Sequence, residues 1–124
     1  MTSVQQLTGY LEQAARRLAK ECAEARRAGE HARSEGLKGE ADAFLLMVQE
    51  LQEHGDPLVL LEALYGMEQA AAWTARLDEQ KAAEFEVQGD AASSLYHARS
   101  ARYSHGLLRG YAQARLLLGT SPER

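Results

Sequence analysis

The chain contains no isoleucine and no asparagine, and its β-branched residues are only four Val and four Thr among 124 positions. Strands draw on β-branched and aromatic residues. Aromatics make up just 6%, so the inventory excludes a substantial sheet. A single cysteine, Cys22, excludes an intramolecular disulfide framework and fits a reducing, cytoplasmic compartment. There are two prolines, Pro57 and Pro122, so long stretches carry no helix breaker. The longest uninterrupted apolar run is the five residues Phe44 to Val48, far too short to span a membrane. Residues 1–6 have neither a basic nor an apolar region, and no secretory signal is expected.

What is abundant is alanine, with 22 copies. Ala, Leu, Arg, Glu and Gln are helix formers. A hydrophobic fraction of 45% with a net charge of −4 argues against disorder. The expected fold is all-α: two antiparallel helical hairpins forming a four-helix, Ala-rich bundle that dimerises. Residues 1–119 read as one helical domain and 120–124 as a short tail. Alanine buries little area, so helices must approach closely to gain from it.

Periodicity and capping residues place the helices. Ser3 and Gln6 make a capping box ahead of helix 1. Its stripe is Val4, Leu7, Leu11, Ala14, Leu18, Cys22 and Ala25, and it runs to about Glu35, where Gly36-Leu37-Lys38-Gly39 ends it. Helix 2 begins near Glu40 with the stripe Ala41, Phe44, Leu45, Val48 and Leu51. It is then short, and the N-terminal half of helix 1 needs a partner elsewhere. Gly55 closes helix 2, and Asp56-Pro57 opens helix 3, which carries Leu61, Leu64, Tyr65, Ala72, Ala75 and Ala82 on one face. Gly89 stops helix 3 and Asp90 caps helix 4, whose stripe is Tyr96, Ser100, Tyr103, Leu107, Gly110, Ala114 and Leu117. Gly39-Glu40-Ala41 and Gly89-Asp90-Ala91 suggest an internal repeat.

Charge is segregated. Residues 91–122 carry Arg99, Arg102, Arg109 and Arg115 and no acid. Basic residues interleaved with Tyr96, Tyr103 and Tyr111 make a polyanion-binding face one reading of helix 4. The other reading is structural. Folding helix 3 onto helix 4 about Gly89 sets Glu79 opposite Arg99, Glu68 opposite Arg109 and Glu62 near Arg115. Glu68, Glu79 and Glu86 fall within the apolar stripe of helix 3, where a buried acid needs a partner. This polar seam of Glu68, Glu79, Arg99 and Arg109 then sets the register of the hairpin.

Glu21-x-x-Glu24 lies upstream of Glu50-x-x-Glu53. This resembles the Glu-x-x-Glu and Glu-x-x-Asp pattern of all-α nucleotide pyrophosphohydrolases of the MazG type, with Glu53 standing where that family has Asp. The resemblance implies a magnesium-dependent enzyme with Glu21, Glu24, Glu50 and Glu53 as metal ligands. No Glu-x-x-His, Walker loop or nucleophile elbow is present, and Glu53 and His54, being adjacent, point apart on a helix. No cofactor and no catalytic residue is expected from the remaining pattern. Cys22, in the stripe of helix 1, reads as a buried thiol. The small ridge Gly106, Gly110 and Ala114 costs helix propensity and points to a close helix contact, within the chain or across a symmetric interface. The expectation is a small, non-enzymatic helical assembly or adaptor protein. It pairs with itself and with another protein through Tyr96, Tyr103, Leu107, Gly110 and Trp73, with nucleic acid as the lesser alternative and no membrane.

Overall fold

The computed structural model describes residues 4–119, which form α1 (Val4–Arg27), α2 (His31–His54), α3 (Pro57–Val87) and α4 (Ala91–Gly119). No strand occurs among the described residues, and none of their helices is long and apolar enough to cross a membrane. Ser3 and the tail 120–124 lie outside the described residues.

Two helix boundaries follow the sequence closely. Gly55 ends α2 in the left-handed conformation, the Asp56 side chain accepts a hydrogen bond from the Leu58 amide at 2.9 Å, and Pro57 occupies the first helical position. Gly89 ends α3 at φ 80°, and Asp90 caps α4 by accepting from the Ser93 amide at 3.1 Å.

The boundary between α1 and α2 departs from expectation. α1 stops at Arg27, well before Glu35. Gly29 takes φ 79°, so that the Glu30 amide reaches the Ala25 carbonyl at 2.8 Å and its own amide reaches Arg26 at 3.1 Å. Asp90 and Gly89 make the same two bonds to Phe85 and Glu86. This is the paired-bond helix terminus that a positive-φ glycine permits. The counterpart of Gly89-Asp90 is therefore Gly29-Glu30, and the repeat read through Gly39-Glu40 is displaced.

The shift changes the packing. α2 is as long as α1, with 24 residues, and packs along it. Leu7, Leu11 and Leu18 are buried, so no half of α1 lacks a partner. Leu45, expected in the stripe of α2, is exposed, while Ala43 and Met47 are buried with Phe44. α2 is covered on two sides, because it packs against α4 as well as α1. α4 is likewise central, lying against both α2 and α3, whereas α2 and α3 touch little. Its buried residues are accordingly Ala101, Ser104, Tyr111 and Leu118, with Gly106, Gly110 and Ala114. The single stripe expected through Tyr96, Tyr103 and Leu117 misses this second face.

Gly36 and Gly39, read as a helix end, sit inside α2 and form its contact with α4. A Cβ at Gly39 would fall on the Tyr103 carbonyl, and one at Gly106 on the Gly36 carbonyl. A Cβ at Gly110 would lie 2.5 Å from that of Ala43. The two helices therefore meet backbone to backbone, the closest approach that ridge-into-groove packing permits. The cost of glycine within a helix is offset by that approach.

Candidate functional site

The arginines of α4 are committed to acids of the same chain. Arg99 and Arg102 both reach Glu35 of α2, at 3.2 and 3.0 Å. Arg109 meets Glu40 of α2 at 2.5 Å, and Arg115 meets Glu68 of α3 at 3.1 Å. Glu79 pairs with His105 at 2.6 Å, not with Arg99. The expected ladder between α3 and α4 is thus divided, with three of the four arginines turned toward α2. The reason is the central position of α4, which the sequence order of the helices conceals. The same pairs neutralise the basic face that a polyanion would need.

The apolar stripe of α3 is also rotated by about one residue, to Leu60, Leu64, Ala71 and Ala75. Tyr65 is exposed, Glu68 is half-buried, and Glu79 and Glu86 lie at the exposed edge of the helix contact. They rim an open cleft of about 480 Å³ between α3 and α4, with Arg102 and His105 on its other side. Among the described residues, every fully buried side-chain nitrogen or oxygen has a hydrogen-bond partner.

A part-buried polar cluster joins Asp78 of α3, which the sequence pattern did not single out, to His97 and Ser100 of α4. Asp78 Oδ1 lies 2.8 Å from His97 Nδ1, and Asp78 Oδ2 accepts from the Ser100 hydroxyl at 2.6 Å. The His97 ring stacks on Phe85 at 5.5 Å. This is not a nucleophile relay, because Ser100 bonds the carboxylate and not the imidazole. It is a pin between α3 and α4. Burial pushes the Asp78 carboxyl upward, but the hydrogen bonds from Ser100 and His97, with the charges of His97 and Lys81, outweigh it and hold the group below its ordinary 3.8. A folded pKa below the unfolded one adds stability that is full above about pH 4 and is lost as pH falls through the folded value. Chemical denaturation at pH 6 and pH 3 is expected to show this loss, and Asp78→Asn should reduce the difference between the two. An unchanged difference would remove Asp78 from the acid response.

Tyr103 and Asp42 form a second pin, between α4 and α2, with the phenol donating at 2.7 Å. Burial and then this carboxylate raise the Tyr103 pKa, keeping the hydroxyl protonated. Tyr103 is therefore half-buried within the chain, Leu107 packs against the core, and Gly110 is covered by Ala43. These three expected interface residues serve the contact between α4 and α2. Tyr96 and Trp73 remain exposed.

The four carboxylates of the pyrophosphohydrolase pattern do not assemble. Cys22 Sγ, beside Glu21, donates to the Ser34 carbonyl at 3.2 Å, which sets that end of α1 against the start of α2. Glu50 and Glu53 sit at the opposite end of α2, where they come within 4.8 Å of His54 and not of Glu21 or Glu24. His54 turns back to Glu50 at 3.3 Å, so Glu53 and His54 do not point apart as adjacency implied. The pattern presumed a turn at Gly36–Gly39, and the turn at Gly29 moves the two pairs out of level.

An apolar line also faces solvent. Along the outer side of α3, Val59, Ala63, Gly66, Ala70, Trp73 and Leu77 recur at steps of four and three residues, and all are exposed. Such steps keep a single line along a helix. Trp73 is 63% exposed, Val59 43% and Leu77 39%. Of this line only Trp73 stands out in the sequence, because the stripe that periodicity marks on α3 is the one facing α4. Comparison with family models, with curated proteins and with solved structures finds no match to this chain.

Proposed function

We propose that the protein is a small, non-enzymatic helical assembly module that acts as a homo-oligomer through an outward helix face. The observation that carries this is the continuous apolar line on α3, with Trp73 at 63% exposure. Aromatic anchors in such a line are typical of protein interfaces, and an exposed apolar patch of this length has an energetic reason to be covered. In this reading the chain is two antiparallel hairpins, α1–α2 and α3–α4, clamped together where Gly36 and Gly39 meet Gly106. The clamp fixes α4 on α2, the Arg115–Glu68 pair and the bonds of Asp78 to His97 and Ser100 hold α3 on α4, and rigid presentation lowers the entropic cost of association. A single free cysteine, Cys22, supports a cytoplasmic setting for the module.

Light scattering over a wide range of protein concentration tests this. A mass above that of one chain, rising with concentration, is expected. A single chain at every concentration, with no partner needed to cover α3, overturns the homo-oligomer.

A further inference from the structure

We infer that the partner of α3 is α3 of a second copy, running antiparallel about a two-fold axis midway between Gly66 and Ala70. This rests on the assembly reading above and adds the surface, the orientation and the register.

The line is palindromic in spacing. Its steps are four, three, four, three, four, and they read the same in both directions. Reversed about that midpoint, Val59 faces the partner's Leu77, Ala63 faces the partner's Trp73, and Gly66 faces the partner's Ala70. Two small residues meet at the centre, where the backbones approach most closely. Each tryptophan then lies over an alanine, a large side chain against a small one, as interdigitating helices require. A closed two-fold dimer needs a self-complementary patch of this kind.

Charge supports the same antiparallel orientation. Glu62 and Arg76 flank the line on one side at 100° per residue. Both are exposed, and neither makes an ion pair among the described residues. A two-fold axis perpendicular to antiparallel helices keeps each flank on its own side. Glu62 of one copy is therefore brought within two residues, about 3 Å along the axis, of the level of Arg76 of the other, which two long side chains span, twice by symmetry. A parallel two-fold pairing would carry the flank of one copy to the opposite side of the contact from that of the other, so Glu62 and Arg76 of different copies would not meet.

Trp73 is the only tryptophan, so its emission reads this surface directly. Emission is expected to shift to shorter wavelength in step with the rise in mass. Gly66→Leu should abolish both changes while circular dichroism stays helical, because a Cβ at Gly66 has nothing within 4 Å. Arg76→Glu should weaken association roughly tenfold, and adding Glu62→Arg should restore it. Association that persists in Gly66→Leu with unchanged emission overturns the α3 pairing while leaving an assembly module that uses another face. A chain that stays single in the unsubstituted protein overturns both readings.

Discussion

Replacing Gly106 with alanine is expected to destabilise the protein by about 2 kcal/mol, although alanine is the better helix former by about 1 kcal/mol. The two effects have opposite signs, so the measurement decides between them. A methyl at Gly106 meets the Gly36 carbonyl, which is backbone and cannot rotate aside. α2 and α4 must separate, and the contact of Gly110 with Ala43 loosens with them. Gly106→Val should cost more, as the branched side chain needs a wider gap. Gly9 is the control. It is also inside a helix, but a Cβ there meets nothing within 4 Å, so Gly9→Ala should gain up to about 1 kcal/mol. Urea titrations of the three variants give the comparison. Equal gains at Gly9 and Gly106 would mean that α2 and α4 do not meet at these glycines.

Phe44→Ala is expected to cost about 3–5 kcal/mol. That is a large share of the roughly 5–15 kcal/mol typical of a domain. Phe44 is 2% exposed and belongs to the main core with Met47, Leu51, Leu64 and Tyr111. Its removal leaves a cavity that the close-packed side chains around it fill only in part. The neighbouring Leu45 is 51% exposed, and Leu45→Ala should cost less than about 1 kcal/mol. Thermal melts of the pair therefore test the rotation of α2. Similar losses at both positions would place Leu45 in the core and contradict the packing of α2 against α4.

Local chemistry was legible in the sequence wherever a residue acts on its own backbone. Gly55-Asp56-Pro57 and Gly89-Asp90 mark helix ends by capping and by left-handed φ, and the structure has those ends in those places. The scarcity of β-branched residues excluded sheets, and the described residues are helical throughout apart from their turns. The exposure of Trp73 could be anticipated, but not the palindromic line around it, because that line is apolar on the side away from the helix contacts.

The failures share one physical cause. A glycine in a helical sequence has two uses, to end the helix or to let another helix touch it, and local pattern does not separate them. Gly29 ends α1 because the chain turns there, while Gly36 and Gly39 stay helical because α4 lies against them. From that one choice follow the length of α2, the pairing of Arg99, Arg102 and Arg109 with Glu35 and Glu40, and the separation of Glu21 and Glu24 from Glu50 and Glu53. The sequence by itself determined that the chain is helical and how most of its helices begin and end, since these are matters of backbone hydrogen bonding within a few residues. Only the tertiary structure decided which helices are neighbours, because that depends on the backbone approach of residues far apart in the chain, and it thereby left one face of α3 uncovered.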